Sequence, residues 1–167
     1  MPEKKTVERA RKDKRQGKAA TTQAGEFVRE EMEHIREGKH GARSTRQAIA
    51  IGLSKARRAG VDLPPPAKGA TSEKTRRSAK RAYAAGQRHE KHVSRTRSRA
   101  ITGVLEHEVH TAASRKSLAK QAKSAARHRS AADRSGAARK AAKTKGAAGR
   151  SVAARKAART RAQRRKH

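Results

Sequence analysis

The chain has 167 residues, of which 46 are Lys or Arg and 14 are Asp or Glu, and its formal net charge is +32. One Phe, one Tyr and an apolar content made largely of alanine exclude a packed core that extends over the whole chain. Such a charge calls for a polyanionic partner, and nucleic acid suits it better than an anionic membrane surface does. Cysteine is absent, so neither a disulfide nor a thiolate metal site stabilises the fold.

The first two segments of the chain differ in charge. Residues 1–25 carry eight Lys or Arg and three acids, and we expect a basic flexible arm. In residues 26–37, Val28, Met32 and Ile35 recur at helical spacing among five glutamates and two arginines, which predicts an amphipathic helix with an acidic outer face. We expect these glutamates to pair with neighbouring basic helices. The alternative is an acidic surface that docks a second copy or a protein partner.

A complete set of helix signals lies in the stretch GKHGARSTRQAIAIGLSKARRAG. Ser44 and Gln47 form a capping box in which the Ser hydroxyl accepts from the Gln47 N–H, so a helix begins here. Gly60 suits the left-handed turn after a helix, and Val61 stands where an apolar contact closes such a cap. With the acidic helix, this predicts a helical hairpin over 26–61. Its expected core is Phe27, Val28, Met32, Ile35, Ile49, Leu53 and Val61.

The middle of the chain predicts a linker and further helices. Three consecutive prolines make 62–70 a semi-rigid Pro-rich linker. Basic helices are expected over 71–113, the first capped by Thr71 or Ser72 and ending near Gly86. A second apolar stripe follows, which either packs on the hairpin or pairs with itself. Its members are Val93, Ala100, Ile101, Val104, Leu105, Val109 and Ala112.

The tail over 114–167 is rich in Ala, Lys and Arg. Nineteen Lys or Arg and one acid lie between 111 and 167, and AARKAA occurs at 137–142 and again at 153–158. We expect disorder in the free protein and helix once phosphates neutralise the charge. Contacts of this kind are made to phosphate without reading the sequence. The expected contacts are Arg139, Lys140, Lys143, Arg155, Lys156, Arg159, Arg164 and Arg165.

A second candidate phosphate site lies at the start of the helix 45–59, because the open N–H groups of a helix N-terminus attract anions. The side chains around it are Lys39, Arg43, Ser44, Thr45 and Arg46. The alternative is an ordinary helix cap in a basic protein. Sequence-specific reading is disfavoured, since this helix offers little direct readout, and the scarcity of aromatic residues disfavours single-strand stacking.

The histidines raise the question of a metal site. His89 with His92 and His107 with His110 stand at i,i+3 spacing, each pair accompanied by a Glu. Without Cys or matching further ligands, we expect solvated or phosphate-facing histidines, with no metal and no cofactor. The chain has no nucleophile elbow or Walker loop, which indicates that it is not an enzyme. No signal peptide or apolar span is visible, so we expect a cytoplasmic protein.

The stretch GKHGARSTRQAIAIGLSKARRAG with the preceding EFVREEMEHIRE resembles a family of small, basic, uncharacterised bacterial proteins, some of which are labelled plasmid stabilisation protein. This likeness covers residues 26–66 and implies a bacterial, DNA-associated context, with no catalytic residues and no cofactor. The tail over 111–167 resembles in composition the Ala- and Lys-rich tails of histone H1-like proteins, and that likeness implies DNA condensation.

These observations predict an all-α protein: a small helical hairpin and a further amphipathic helix, with long, basic, partly disordered N- and C-terminal extensions. The expected function is non-specific binding of duplex DNA by a nucleoid-associated, histone H1-like protein that neutralises and compacts or bridges it. The alternatives are a basic protein associated with RNA or the ribosome, and a protein-interaction module in plasmid stabilisation or stress. No membrane partner is expected, and the amphipathic helices allow a homodimer.

Overall fold

The computed structural model describes residues 2–88 and 94–164, and within these ranges all regular structure is helical, as the sequence predicts. The helices are α1 (Lys4–Arg15), α2 (Ala20–Arg36), α3 (Thr45–Arg58), α4 (Glu73–Gln87), α5 (Arg95–Glu106), α6 (Arg115–Arg127) and α7 (Ala131–Arg164). A 3₁₀ turn, His110–Ala113, lies between α5 and α6. The chain divides after Gln121 into two compact units.

Helix α3 has the predicted start. The Ser44 hydroxyl accepts a 3.2 Å hydrogen bond from the Gln47 N–H, which confirms the first half of the capping box. The Gln47 side chain reaches back to the N–H of Arg43, at 3.0 Å, rather than to that of Ser44. Two donors at the start of the helix are therefore satisfied by one short sequence motif.

The predicted end of α3 is also confirmed. Gly60 has φ of 86°, a left-handed conformation that glycine adopts without strain, and its N–H donates to the carbonyl of Arg57 at 3.1 Å. The N–H of Val61 donates to the carbonyl of Ala56, also at 3.1 Å. The Val61 side chain is buried together with Ala56, so the cap includes the apolar contact that the sequence predicts.

Helices α2 and α3 pack closely against each other and form the predicted hairpin. Helix α2 also packs against α1. This second contact corrects the expectation of a flexible arm over 1–25. Helix α1 buries Thr6 and Ala10 and partly covers Val7, and α2 begins at Ala20, before the predicted start at 26. Because these contact residues are small, the apolar pattern of large side chains does not reveal them.

The buried side chains form two clusters where the sequence predicts one. The first contains Met32, Ile35, Ala42, Ala48, Ala112 and Ala113, with Val28, Ile49 and Leu118 partly buried beside it. The second contains Ala10, Ala24, Phe27, Ala56 and Val61, with Val7, Ala20, Leu53 and Leu63 partly buried beside it. Seven of the eleven buried members are alanines, because the helices approach closely enough for alanine to fill the space between them.

The second apolar stripe packs on the hairpin only at its end. Ala112, in the 3₁₀ turn, belongs to the first cluster, and the turn contacts both α2 and α3. Ile101, Val104 and Val109 are 59%, 63% and 54% exposed, so most of the stripe does not contribute to the core. Val93 lies outside the described residues.

The Pro-rich linker is held against the end of α3 by one side chain. The Arg57 guanidinium donates to the carbonyls of Leu63 and Pro64 at 3.0 and 3.2 Å, and burial lowers the pKa of this arginine. The linker is therefore fixed at its start. Helix α4 then begins at the predicted cap, Ser72, whose hydroxyl accepts from the Thr75 N–H.

Helix α4 packs on α3 through a face of small residues, Ala79, Ala82 and Gly86. The helix ends at Gln87, close to the predicted end near Gly86, and Gly86 itself lies in its last turn. A Cβ at this position would overlap the carbonyl oxygen of Arg57. The Tyr83 hydroxyl donates to Asp62 at 2.6 Å and links α4 to the linker.

The C-terminal unit is helical to Arg164, which corrects the prediction of a disordered tail. Helix α7 is interrupted at Gly146, where φ is 65° and ψ is 175°. Arginines cap the exposed carbonyls at helix ends: Arg134 donates to the carbonyl of Ala126, and Arg150 to that of Ala142 at 2.7 Å. Alanine, lysine and arginine favour helix intrinsically, and these caps add to that preference.

The close approach of α2 and α3 generates a prediction for Gly52. A Cβ at this position would lie 2.7 Å from the Cα of Val28, a backbone atom that cannot move alone. We expect Gly52→Ala to lower the free energy of unfolding by about 1–3 kcal/mol, because the separation of the helices outweighs the gain in helix propensity. Urea unfolding followed by circular dichroism measures the change.

Gly25→Ala is the matched control, because this exposed position in α2 has nothing within 4 Å of its added Cβ. Here the same substitution should raise the free energy of unfolding by about 0.5–1 kcal/mol. Equal effects at the two positions would contradict the close helix crossing.

Candidate nucleic-acid interface

The positive charge of the chain is concentrated after residue 68. Residues 1–68 contain seventeen Lys or Arg and nine of the acids, whereas residues 69–167 contain 29 Lys or Arg and five acids. The first part therefore has many internal partners for its cations. The second part has few acids, so it carries most of the net positive charge of the chain.

All five glutamates of the segment 26–37 form ion pairs within the chain, as predicted. Glu26 pairs with Arg9 of α1 at 3.4 Å, Glu33 with Arg29 on the same helix, and Glu37 with Lys39 in the following turn. The remaining two, Glu30 and Glu31, pair with Lys55 of α3. Ion pairs thus join the acidic helix α2 to α1 and to α3, and each of its five glutamates has a cationic partner within the chain.

The pair between Glu31 and Lys55 is the most buried of these. Glu31 is completely inaccessible, and its Oε2 lies 2.6 Å from Nζ of Lys55, whose side chain is 24% exposed. Neither carboxylate oxygen of Glu31 receives a donor in hydrogen-bond geometry. The ammonium group is consequently an essential counter-charge, because an uncompensated carboxylate at this depth is strongly destabilising.

The turn before α3 is covered by the segment that precedes the 3₁₀ turn. The N–H groups of Gly41 and Ala42 donate to the carbonyls of Leu105 and Val109, at 2.7 and 3.0 Å. Thr45 is 6% exposed, and its hydroxyl donates to the carbonyl of Ala112 at 2.6 Å. This position does not suit the predicted phosphate contact of Thr45, because its hydroxyl is already bonded inside the unit.

The other residues of this candidate phosphate site are exposed but have internal contacts. Ser44 caps α3 with its hydroxyl, and Arg46 donates from Nε to Gln121 at 3.3 Å. Lys39 lies 2.9 Å from Glu37 and 3.6 Å from Glu3, and the hydrogen bond to Glu37 raises its pKa. Arg43 presents an exposed side chain next to the cap. The structure thus brings Arg43, Ser44 and Arg46 together at an exposed helix start.

The predicted contacts of the tail lie on α7 and are exposed: Arg139, Lys140, Lys143, Arg155, Lys156 and Arg159. Arg139 and Lys143 precede the interruption at Gly146, and Arg155 and Arg159 follow it, each pair one helical turn apart. Arg164 ends the helix, and Arg165 lies outside the described residues. One acid, Asp133, is present in α7, and its carboxylate accepts from Ser130.

A shallow depression of about 460 Å³ lies at the start of α6 and is lined by Ile35, Arg36, His110, Ala113, Ser114 and Arg115. Arg36 is already engaged there, since its Nε donates to the carbonyl of Ala113 at 3.1 Å. This hydrogen bond joins α2 to the 3₁₀ turn at the edge of the depression.

The structure brings together a different set of histidines from those in the predicted pairs. Glu31, His34 and His40 each place one metal-ligand atom within 4.8 Å of the others. His107 and His110 are both exposed, while His89 and His92 lie outside the described residues. This cluster is not among the metal-ligand pairs predicted from the sequence. Its signal was the Glu-x-x-His spacing at 31 and 34, followed by a histidine in the glycine-flanked turn.

Residues 3–68 match the model of a family of unknown function, DUF6496. The match covers α1, α2, α3 and the Pro-rich linker, and it stops where the excess of positive charge begins. No curated protein and no solved structure matches the chain. Among the described residues, no helix is long and apolar enough to cross a membrane.

The buried ion pair generates a second prediction. Lys55→Met keeps the apolar stem but removes the charge opposite Glu31, and we expect a loss of about 3 kcal/mol in the free energy of unfolding. Adding Glu31→Gln to this variant should recover part of the loss, because the uncompensated charge is then gone. Urea unfolding of both variants measures the two changes.

The control is Lys80→Met, an equivalent substitution at an exposed position of α4. It should alter stability by less than about 0.5 kcal/mol. Similar losses for Lys55→Met and Lys80→Met would show that the buried pair does not stabilise the unit.

Proposed function

We propose that the protein binds duplex DNA without sequence preference, and neutralises and compacts or bridges it in the manner of nucleoid-associated, histone H1-like proteins. The observation that carries this proposal is the set of exposed cations on α7: ten Lys or Arg between 131 and 163 are exposed, and one acid, Asp133, accompanies them. A regular array of such side chains is suited to phosphates, which impose no requirement on the base sequence.

The division of charge between the two parts of the chain supports the same proposal. The acids of α2 pair with Arg9, Arg29, Lys39 and Lys55 within the first unit. In the C-terminal unit, residues 122–167, sixteen Lys or Arg accompany Asp133. A phosphate backbone supplies the missing negative charge and releases its condensed counterions when it does so.

The start of α3 is a secondary contact in this proposal. Arg43 and Arg46 are exposed next to the Ser44 cap, and the positive end of the helix dipole adds to their charge. We assign this site a positioning role on the backbone of the duplex, because phosphate contacts set orientation without reading the sequence. Thr45 has no part in it.

Two alternatives remain as outcomes of the test. Structured RNA offers the same phosphate charge, and the alanine-spaced cations of α7 do not distinguish its backbone from that of DNA. A protein-interaction module in plasmid stabilisation or stress would use the acidic helix, but all five glutamates there are paired within the chain. A homodimer through α2 and α3 would likewise need apolar faces that both helices bury within one unit.

The test compares two full-length variants that lose the same number of charges. The first replaces six cations of α7 with Gln: Arg139, Lys140, Lys143, Arg155, Lys156 and Arg159. The second replaces six exposed cations of α1: Lys4, Lys5, Arg11, Lys12, Lys14 and Arg15. Affinity for a random-sequence duplex is measured over a salt series, with an RNA duplex of equal length run alongside.

We expect the α7 variant to bind more weakly, with a slope of log K against log salt that is reduced by up to about five. The α1 variant should retain most of the slope. Equal losses in the two variants would show that total charge, rather than α7, determines binding. A clear preference for RNA over DNA would replace the duplex-DNA proposal with the RNA alternative.

A further inference from the structure

Three potential metal ligands meet where α2 turns back toward α3. Glu31 and His34 stand one turn apart on α2, and His40 follows in the turn after that helix. Their ligand atoms all lie within 4.8 Å of one another. The side chains of His34 and His40 are 14% exposed, so solvent has limited access to the cluster.

The carboxylate of Glu31 is the reason to look for a ligand here. It is completely buried, and neither of its oxygens receives a donor in hydrogen-bond geometry. Lys55 provides a cation at Oε2, while Oε1 faces Nε2 of His40 at 3.3 Å. A buried carboxylate oxygen without a hydrogen bond is unusual, and a bound cation would satisfy it.

The hydrogen bond of His40 determines which of its nitrogens faces Glu31. Nδ1 lies 3.1 Å from the carbonyl oxygen of Gly41, which can only accept, so Nδ1 carries the proton. In the neutral ring, Nε2 then has a lone pair that points at another lone-pair atom, Oε1. Two ligands about 2.0–2.1 Å from a tetrahedral ion lie about 3.3–3.4 Å apart, which matches this separation.

His34 is oriented in a comparable way. Its Nε2 lies 2.8 Å from Oε1 of Glu3. The carboxylate accepts, so Nε2 is the protonated nitrogen and Nδ1 keeps the lone pair. A histidine that donates one N–H to a carboxylate or a backbone carbonyl while its other nitrogen binds metal is the usual arrangement in metal sites.

We propose that Glu31, His34 and His40 bind a divalent transition-metal ion, with zinc as the best match to two imidazoles and one carboxylate. Glu3 and the Gly41 carbonyl orient the two imidazoles, and Lys55 holds the second oxygen of Glu31. The ion links α2 to the turn before α3 and so stabilises the first unit. This proposal departs from the sequence analysis, which places no metal in the chain, and it does not depend on DNA binding.

The experiment uses the full chain, treated with chelator and then titrated with Zn²⁺ by calorimetry and with Co²⁺ by visible absorption. We expect one ion per chain, tetrahedral Co²⁺ bands that Zn²⁺ abolishes, and an unfolding temperature that rises with Zn²⁺ concentration. On the unsubstituted chain, nitrogen NMR of the imidazoles should show two of the eight histidines shifting with Zn²⁺.

The variants are His34→Gln and His40→Asn, which keep a hydrogen-bonding side chain, and the control is the double variant His107→Gln, His110→Gln. Each of the first two should weaken Zn²⁺ binding at least tenfold, while the control binds as the unsubstituted chain does. Circular dichroism without metal checks that each variant is folded. If a variant is not folded, the NMR titration of the unsubstituted chain tests whether His34 and His40 bind the ion.

Two results would overturn the proposal. One is the absence of saturable binding, which would show that Glu31, His34 and His40 contact one another without forming a metal site. The other is equal binding by His40→Asn and the control variant, or shifts spread over all the histidines, which would indicate weak surface binding.

Discussion

The close packing of α2 against α3 is the constraint on which the first unit depends. The chain has few large apolar side chains, so its helices gain stability by approaching closely rather than by filling a wide core. Gly52 allows the approach, and Lys55, one turn further along α3, reaches the carboxylate of Glu31 inside the contact. Alanines such as Ala48 and Ala56 are then large enough to exclude water from the remaining space. The close helix crossing and the buried ion pair both stabilise a unit that has little apolar surface to bury.

The features that the sequence predicts correctly are local ones. Ser44 and Gly60 act on donors and acceptors within one turn of themselves, so residue type and spacing are sufficient to predict the start and end of α3. The hairpin follows from the apolar spacing of two neighbouring segments joined by a short turn. The exposed tail cations of the candidate interface follow from composition, because a segment with almost no large apolar residues has nothing to bury them against.

The features that the sequence does not predict depend on distant partners. Helix α1 packs through Ala10, and nothing about an alanine in a basic segment indicates which helix it will meet. From the sequence, Glu31 looks like any other glutamate on an exposed acidic face. Its burial depends on Lys55, which lies on another helix. Conversely, Ile101 and Val104 have the spacing of a packed face, yet they remain exposed because only the 3₁₀ turn after α5 reaches the hairpin. Periodicity identifies a face but not whether a partner covers it.

The interruption of α7 at Gly146 divides the cations of the tail between two shorter helical segments, and this bears on the geometry of the proposed DNA complex. The part of the helix before the interruption is roughly 22 Å long at 1.5 Å per residue, which equals the axial length of about six or seven base pairs. A straight helix of twice that length would diverge from the curved groove, and the cations at its far end would not reach the phosphates. Two shorter rods joined at a bend can each follow their own stretch of the backbone. In the proposed DNA complex, the two AARKAA copies, one on each side of Gly146, would each contact their own stretch of the phosphate backbone.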